Sequence, residues 1–213
     1  MSPAPQTPWR AEGAEAVVTE GDFLGLPCLV KRRPVKGYRH PALDQRLRKE
    51  RLRTEVRLLA EARRAGVRTP VVLDLDLGSS TLVLERLEGP TLAEALERSA
   101  PGDAERGAKV ERWGHALGRL HASGITHGDL TASNVLWCEG DVALLDLSLG
   151  SRSPGLEEMG VDLHLVSEDL NTLCPDREVL FQRFVRGYRE AYPSGGEAAI
   201  GRAREIDGRV RYA

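Results

Sequence analysis

The spacing of apolar and polar residues divides the chain into a strand-rich first part and a helical second part. Residues 14–20 and 24–33 carry β-branched and apolar side chains on either side of Gly21-Asp22, which predicts a hairpin that turns at this pair. Residues 71–77 and 80–87 alternate similarly and predict a second hairpin. Between them, residues 41–65 predict one long helix, because apolar side chains recur every three to five positions at Leu43, Leu47, Leu52, Val56 and Leu59.

The second part of the chain is predicted to be mainly helical. Beyond a break at Glu88-Gly89-Pro90, helical spacing covers residues 91–98, 104–123, 161–173 and 175–192, and Pro175 suits a first helical position. Two short apolar runs at residues 135–137 and 142–145 predict another hairpin around Glu139-Gly140. Strands first and helices later predict an α+β fold of two lobes around one cleft.

The composition is that of a globular protein and excludes several other classes. The 213 residues are 41% hydrophobic and carry a net charge of −2, which excludes compositional disorder. No apolar run approaches the roughly 20 residues of a membrane helix, and the Pro-rich start lacks a secretory core, so we predict a cytoplasmic protein without membrane association. Cys28, Cys138 and Cys174 are scattered, which favours buried free thiols over disulfides or a zinc site.

Charge is distributed unevenly between the two parts. Residues 28–70 contain 14 Lys and Arg against 4 Asp and Glu, whereas residues 71–213 contain 15 against 24. The basic excess has two interpretations, a solvated face of the long helix or a surface that meets a polyanion, and charge alone does not decide between them. The candidates for polyanion contact on this helix are Arg46, Arg48, Lys49 and Arg53.

The strongest chemical signal is a run of polar residues in the second part. His127-Gly128-Asp129 begins the run, Asn134 follows five residues after the aspartate, and Asp146 ends an apolar strand twelve residues later. Phosphoryl transfer from a nucleotide needs such a set, because Mg²⁺ must be held on the phosphates while another carboxylate orients the attacking oxygen. A lone aspartate would be a turn or cap residue, but the complete spacing argues against that interpretation.

A second candidate pair lies in the first part. Lys31 stands inside an apolar strand and Glu55 stands on the long helix that follows. A strand lysine can hold phosphates while a helix glutamate fixes its ammonium. Alternatively, Lys31 reaches solvent from an edge strand and Glu55 pairs with Arg51 or another arginine of the helix. The order Lys, Glu, Asp, Asn, Asp favours the phosphate interpretation.

Several runs together resemble one family. They are Gly-Ala-Glu-Ala at residues 13–16, Lys-Gly-Tyr-Arg-His-Pro at residues 36–41 with Leu43-Asp44, His-Gly-Asp-Leu-Thr at residues 127–131, and Val-Asp-Leu at residues 161–163. This set resembles the small atypical serine/threonine kinase subunit of the KEOPS complex over residues 13–211. The resemblance implies a minimal bilobal protein-kinase-like fold. It has a flexible segment at 1–12, a small β-rich N-lobe with one long helix at 13–87, and a reduced helical C-lobe with a basic tail at 88–213.

The resemblance also implies the site residues and cofactors. Members bind ATP and Mg²⁺, and by position Lys31 is the phosphate-binding lysine, Glu55 its ion-pair partner and Asp129 the catalytic carboxylate. Asn134 and Asp146 take the place of the metal ligands.

Further roles follow from the same resemblance. The backbone from Glu85 to Leu87 corresponds to the segment that receives adenine. Asp162 is expected to brace the catalytic loop through backbone hydrogen bonds. Arg209 and Arg211, in the basic tail, are expected to reach tRNA or the partner enzyme.

The implied activity is ATP hydrolysis and serine/threonine autophosphorylation within a complex. The C-lobe is expected to bind the threonylcarbamoyltransferase subunit, which makes threonylcarbamoyladenosine in tRNA. The N-lobe is expected to bind a further small KEOPS subunit, and the basic helix and tail to contact tRNA.

The sequence departs from ordinary protein kinases at several points. Asp146-Leu147-Ser148 replaces Asp-Phe-Gly, so Ser148 is expected to adopt a glycine-like backbone conformation. No G-x-G-x-x-G run is present, and Gly128 stands where many kinases have arginine. Only sixteen residues lead from Asp146 to Asp162, without Ala-Pro-Glu. So short a segment offers little platform for a peptide, which favours water or the protein itself as acceptor.

Two other functions stay open on the sequence alone. The first is a small-molecule phosphotransferase of the aminoglycoside or choline kinase type, although 213 residues leave little room for the helical insertion that usually holds the substrate. The second is a pseudokinase that only scaffolds a complex. An aromatic set at helical spacing favours a core rather than a base-stacking surface, namely Trp113, Phe181, Phe184 and Tyr188.

Overall fold

A five-stranded antiparallel sheet with one long helix is followed by a mainly helical region in the computed structural model, which describes residues 10–12 and 15–210. The strands are β1 (Arg10–Glu12), β2 (Val17–Phe23), β3 (Leu26–Arg32), β4 (Val72–Asp76), β5 (Thr81–Glu85), β6 (Val135–Cys138) and β7 (Asp141–Leu144). The helices are α1 (Pro41–Arg64), α2 (Leu92–Glu97), α3 (Ala104–Ala122), α4 (Leu156–Leu173), α5 (Arg177–Ala191) and α6 (Gly196–Val210). The predicted α+β fold of two lobes is confirmed.

The first hairpin is present, but its predicted turn is wrong. Gly21 and Asp22 lie inside β2 and pair with β3, while the turn is at Leu24-Gly25. Both turn residues have positive φ, 54° and 84°, and Asp22 Oδ1 accepts a hydrogen bond of 2.8 Å from the Gly25 amide. A two-residue hairpin loop of this hand needs positive φ at both positions, and Leu24 gives no such signal in the sequence.

The small sheet has the order β1-β2-β3-β5-β4. β1 extends it at one edge, where the sequence pattern assigned no strand. β4 and β5 form the predicted second hairpin, which places β5 next to β3. β3 therefore lies in the middle of the sheet, so a lysine on it is not at an edge.

The long helix α1 agrees with the predicted range, although its buried face differs from the predicted stripe. Leu43 is 42% exposed, so the stripe is wrong at its first position. Leu52 and Leu59 of the predicted stripe are buried, and Leu58 and Ala62 are buried with them. Two charged residues, Asp44 and Glu55, are buried with them, which requires ionic or hydrogen-bonding partners.

The helical lobe contains the predicted β6–β7 hairpin at Glu139-Gly140 and five helices among the described residues. α2 begins with a capping box formed by Thr91 and Glu94. Two predicted starts are wrong, because α4 already begins at Leu156 and α5 begins only at Arg177, after Pro175. Helix α6, which packs on α4, was not predicted.

The core of the helical lobe depends on close packing of α3 against α5. A Cβ on Gly114 would lie 2.0 Å from the Phe184 carbonyl oxygen, so only glycine permits this approach. Trp113 and Phe184 are fully buried and meet edge to face at 5.3 Å. The predicted aromatic core is confirmed, and the three cysteines are buried free thiols as predicted. In residues 10–12 and 15–210, no helix combines the length and apolar character that crossing a bilayer requires.

Candidate active site

An ion-pair cluster joins the two lobes at the predicted site. Lys31 Nζ lies 2.6 Å from Glu55 Oε1 and 2.9 Å from Asp146 Oδ1. Lys31 is only 6% exposed and Glu55 is fully buried, so these contacts are shielded from water. The structure therefore brings the strand lysine, the helix glutamate and the strand-end aspartate together. The alternative pairing of Glu55 with Arg51 is wrong, because Arg51 Nη1 contacts Glu15 Oε2 at 2.7 Å.

Asp146 is strained in its backbone and stabilised as a carboxylate. Its φ is 52°, in the region that favours glycine. Burial alone would raise the pKa of Asp146, but the Lys31 ammonium, the Ser148 hydrogen bond and the Arg33 charge outweigh burial and hold that pKa far below its usual range. Ser148 itself does not have a positive φ, so the expectation of a glycine-like conformation there is wrong. The glycine-like conformation occurs at Asp146 instead.

The catalytic loop places Asp129 next to Asn134. Asp129 is exposed, and Asn134 Nδ2 donates to its carbonyl oxygen at 2.8 Å and to its Oδ2 at 3.2 Å. The Leu145 amide donates to the Asn134 carbonyl oxygen at 2.9 Å, which fixes the loop beside the strand end that carries Asp146. The amide side chain and the two carboxylates therefore lie on neighbouring, hydrogen-bonded segments.

Asp162 braces this loop, as expected. Its Oδ2 accepts a hydrogen bond of 2.7 Å from the His127 amide, and its Oδ1 accepts one of 2.8 Å from the Gly128 amide. Burial alone would raise the pKa of Asp162, but the hydrogen bond from His121, the nearby imidazoles and the His127 amide bond outweigh it and lower that pKa. Asp162 therefore acts as a buried carboxylate that holds the loop backbone.

His127 and Gly128 hold the loop against the segment from Leu145 to Leu149. Burial lowers the pKa of His127, so its ring is neutral. Its Nε2 lies 2.8 Å from the Leu145 carbonyl oxygen, which assigns the proton to that nitrogen. Gly128 has a φ of 82°, and a Cβ there would lie 2.2 Å from the Leu149 carbonyl oxygen. The arginine that many kinases have at this position does not fit.

The segment after Asp146 is held along its length without phosphorylation. The Thr126 amide donates to the Ser151 carbonyl oxygen at 3.1 Å, and the Ser151 amide donates to Thr126 Oγ1 at 3.2 Å. The Ser153 amide donates to the Gly124 carbonyl oxygen at 2.8 Å. Main-chain bonds therefore supply the order that activation loops gain from phosphate contacts.

Two of the family-like runs contact each other through Glu15. Arg39 Nη2 lies 3.2 Å from Glu15 Oε1, while Arg51 contacts the other carboxylate oxygen. Gly13 and Ala14, the first residues of the Gly-Ala-Glu-Ala run, lie outside the described residues. The visible part of that run is thus joined by ion pairs to the loop before α1 and to α1 itself.

The predicted adenine segment lies where β5 leads into the helical lobe. The Glu85 carboxylate accepts a hydrogen bond of 3.0 Å from the Val71 amide, so its side chain serves the β4–β5 pair. Leu87 is half-buried. The Trp137 amide donates to the Pro90 carbonyl oxygen at 2.9 Å, which fixes the connection against β6. The Glu85 carboxylate is therefore already engaged within the small lobe.

The candidate polyanion contacts are not equivalent. The Arg48 side chain is turned inward, with Nε 2.7 Å from Asp44 Oδ2 and Nη1 2.5 Å from Ser80 Oγ. Arg46 and Arg53 are exposed, Lys49 is half-buried, and Arg209 is exposed at the end of α6. Arg211 lies outside the described residues.

Sequence reasoning missed two functional neighbours. Arg33 is 2% exposed and contacts Glu55 from the position directly after β3, and its two-residue spacing from Lys31 could have indicated a shared side of the chain. Asp169 Oδ2 accepts a hydrogen bond of 2.6 Å from the Ala132 amide and supports the loop near Asn134. Nothing in the local pattern around Asp169 distinguishes it from a surface carboxylate.

Asn134 and Asp146 fit a magnesium ion by the chemistry of their donors. Carboxylate and amide oxygens suit Mg²⁺, which keeps several waters and completes its shell with phosphate oxygens. No group of three or more His, Cys, Asp or Glu side chains in the described part of the chain forms a cage for a metal. The donor set therefore suits a metal shared with a phosphate ligand.

Comparison with solved structures defines the class of protein. The chain matches the crystal structure of the Rio2 kinase-ADP/Mg²⁺-phosphoaspartate complex from Chaetomium thermophilum with a TM-score of 0.62. The match covers 96% of this chain and 71% of that chain at 13% sequence identity, so it defines the fold alone. The fold is that of a protein-kinase-like domain.

Sequence comparison defines the family. The model of the lipopolysaccharide kinase (Kdo/WaaP) family matches residues 32–158. The EKC/KEOPS complex subunit bud32 of Aspergillus fumigatus is 35% identical, with 99% of this chain and 91% of that protein covered. The chain belongs to the Kdo/WaaP kinase-like family and, by the second match, to the bud32 family of KEOPS complex subunits, which confirms the resemblance found in the sequence.

Longer relatives contain a similar segment. The probable bifunctional tRNA threonylcarbamoyladenosine biosynthesis proteins of Methanothermobacter thermautotrophicus and Methanoculleus marisnigri are 40% and 43% identical, over 95% of this chain. The chain spans about a third of their length, 36% and 35% respectively.

Proposed function

We propose that this chain is a Mg-ATP-dependent atypical kinase and ATPase subunit that supports threonylcarbamoyladenosine formation in tRNA. The observation that carries the proposal is the position of the Lys31 ammonium, bound by Glu55 from one lobe and Asp146 from the other. A buried lysine held between two carboxylates at a lobe boundary is suited to receive the phosphates of a nucleotide.

Each site residue has a defined task in this proposal. Lys31 binds the α- and β-phosphates while Glu55 keeps its ammonium in place. Asn134 and Asp146 hold Mg²⁺, which neutralises charge on the phosphates when it is bound. Asp129, exposed and oriented by Asn134, accepts a hydrogen bond from the attacking hydroxyl or water and takes its proton.

The acceptor is proposed to be water or a serine or threonine of the protein itself. The segment from Asp146 to Asp162 is short and bonded to residues 124–128, which leaves little surface to align a peptide. For the same reason we propose control of turnover by a bound partner rather than by phosphorylation of this segment.

The proposed partners follow from the family and from the named relatives. The C-lobe binds a threonylcarbamoyltransferase, a further small KEOPS subunit binds the N-lobe, and tRNA contacts the basic face of α1 and the tail. Arg46, Lys49, Arg53 and Arg209 carry the tRNA contact, together with Arg211. Arg48 contributes to the fold instead, because Asp44 and Ser80 already occupy its guanidinium. A cytoplasmic location is part of this proposal.

The decisive experiment measures ATP hydrolysis by the chain alone, with the threonylcarbamoyltransferase, and with both partner and tRNA. We expect the chain to hydrolyse ATP at a rate that changes when the partner and tRNA are added. Asp146→Ala should lose both ATP turnover and tRNA modification. Unchanged turnover and modification in that variant would support a scaffolding pseudokinase. Strong stimulation by a single sugar, aminoglycoside or amino alcohol would support a small-molecule phosphotransferase.

The tRNA contact has its own test in salt dependence. If three cations of α1 meet phosphates, neutralising Arg46, Lys49 and Arg53 together should lower the slope of log affinity against log salt by about 2 to 3. If tRNA binding does not depend on salt, the basic face of α1 is a solvated surface that does not contact tRNA.

A further inference from the structure

Arg33 is a second buried cation in the cluster, and the roles described above do not use it. It follows Lys31 by two residues, directly after the end of β3, and the side chains of both residues contact Glu55. Arg33 Nη2 lies 3.0 Å from Glu55 Oε2, and the same nitrogen lies 3.7 Å from Asp146 Oδ1. Glu55 thus receives one cation on each carboxylate oxygen.

Packing alone does not explain this arginine. Its side chain is 2% exposed, and burying a guanidinium carries a large desolvation penalty that hydrogen-bonded partners must offset. The Nε–H nevertheless has no hydrogen-bond acceptor, so even the existing partners do not satisfy the group. An apolar side chain of similar length would fill the same volume without either penalty. The charge itself is therefore what the position requires.

Binding of an anionic ligand changes the charge balance of this cluster. Two cations, Lys31 and Arg33, face two carboxylates, Glu55 and Asp146. A phosphate group that binds the Lys31 ammonium weakens the ion pair between Lys31 and Glu55. The Glu55 carboxylate is fully buried and cannot gain water in exchange. Without a second cation, the Glu55 carboxylate would be left uncompensated beside an anionic ligand.

We propose that Arg33 is a positioning residue of the nucleotide site, which holds Glu55 and compensates its charge while Lys31 is shared with the phosphates. This inference rests on the proposed nucleotide binding and adds a residue to it. Its consequence is that the contribution of Arg33 to affinity grows with the negative charge of the ligand. Adenosine gains nothing from Arg33, whereas ADP gains most.

The test measures equilibrium binding of adenosine, AMP and ADP to the 213-residue chain, in EDTA and again with Mg²⁺. Arg33→Met removes the charge and keeps the length, and Arg33→Lys keeps the charge without the planar fork. Arg32→Met is the matched control, because Arg32 is the adjacent exposed arginine on the other face of β3. Thermal unfolding of each variant without ligand reports on the fold separately.

We expect Arg33→Met to weaken ADP binding by about tenfold and to leave adenosine binding within about twofold. Arg33→Lys should lie between wild type and Arg33→Met for ADP, and Arg32→Met should bind like wild type. Equal losses for adenosine and ADP, or no loss for ADP, would overturn the positioning role. If Arg33→Met does not fold, the neutral and polar Arg33→Gln variant decides, because ADP affinity equal to wild type without the charge would contradict the proposal. Failure of wild type to bind ADP would instead refute the proposed function.

Discussion

The Lys31 ammonium lies between two carboxylates and near a second cation, Arg33. Among residues 10–12 and 15–210, by contrast, the Asp129 carboxylate has one side-chain hydrogen bond, from Asn134 at 3.2 Å. The small-lobe half of the site is fixed through its functional side chains. The catalytic loop is fixed through its backbone, because Asp162 and Asp169 accept hydrogen bonds from main-chain amides. These bonds hold the loop backbone, while the carboxylate of Asp129, the proposed catalytic group, stays exposed.

This difference teaches where function and stability can be separated. Substituting a residue of the ion-pair cluster changes the ligand site and leaves a buried charge unpaired in the same step. Substituting Asp129 changes the chemistry alone, because the main-chain bonds of the loop do not need its side chain. The residues that hold the loop should show the reverse. Substituting them should lower the free energy of unfolding strongly and should lower activity only because the loop is displaced.

The largest expected effect concerns Asp129→Asn. An amide cannot take the proton of the attacking group, so ATP turnover should fall about a thousandfold. The melting temperature should change by no more than about 2 °C, because the side chain is exposed. Steady-state ATPase assays and thermal unfolding measure the two quantities. Glu178→Gln, an exposed carboxylate on α5, is the control, and a turnover of Asp129→Asn equal to that control would contradict the role of Asp129.

The next effect concerns the brace. Asp162→Asn replaces one oxygen of an acceptor of three hydrogen bonds by an NH2 group, whose N–H donors then face the amide of either His127 or Gly128. We expect the free energy of unfolding to fall by about 3 kcal/mol, and ATP turnover to fall with it. Urea unfolding measures the change.

Glu168→Gln on the same helix is the control for that experiment, since Glu168 is exposed and should change stability by less than about 0.5 kcal/mol. A brace variant as stable as this control would show that the loop is held by other contacts. The difference between the two regions would then be smaller than the structure indicates.

A third effect separates close packing of the loop from backbone conformation. Gly128 and Gly140 have nearly the same φ, 82° and 80°, but a Cβ has no neighbour within 4 Å at Gly140, whereas it meets the Leu149 carbonyl oxygen at Gly128. Alanine at either site pays for a left-handed conformation, about 1 kcal/mol. Gly128→Ala should cost about 2 kcal/mol more than Gly140→Ala, measured by denaturant unfolding. Equal losses would mean that the loop and the segment after Asp146 can move apart.

Much of this arrangement could be predicted from the sequence, because periodicity and motif spacing are local properties. The range of α1, the β6–β7 hairpin and the order from Lys31 to Asp146 follow from such patterns. The two-residue spacing from Lys31 separates Arg33 from the exposed Arg32 beside it, but the sequence does not show that Arg33 is buried, because its burial depends on where α1 packs. Helix α6 escaped prediction because its glycines lower helix propensity, and packing on α4 overrides that preference.

The first turn and Asp146 show the same limit for backbone conformation. Positive φ contradicts the local preference of Leu24, where the two-residue loop between β2 and β3 requires it, and it is uncommon for a residue such as Asp146. At Asp146 the compensation is visible in the ion pair with Lys31. The site therefore contains the conformations that sequence patterns are least able to reveal, which is where function departs from local preference.

The smallest expected effect is a pH dependence of opposite sign for the two carboxylates that hold the loop. The pKa of Asp162 is lowered in the folded protein, so its stabilisation is complete above the unfolded pKa of about 3.9 and is lost as the pH falls below that value. Burial raises the pKa of Asp169, although the Ala132 amide opposes it, so the folded state takes up that proton first and gains stability as the pH falls. Between pH 5 and pH 3.5, the stability advantage of wild type over Asp162→Asn should shrink by about 0.7 kcal/mol at most. As the pH falls over the same range, the free energy of unfolding of wild type should increase relative to that of Asp169→Asn. Urea unfolding at each pH tests both, and parallel changes in the two variants would mean that a common charge effect, rather than these two groups, governs the acid response of the loop.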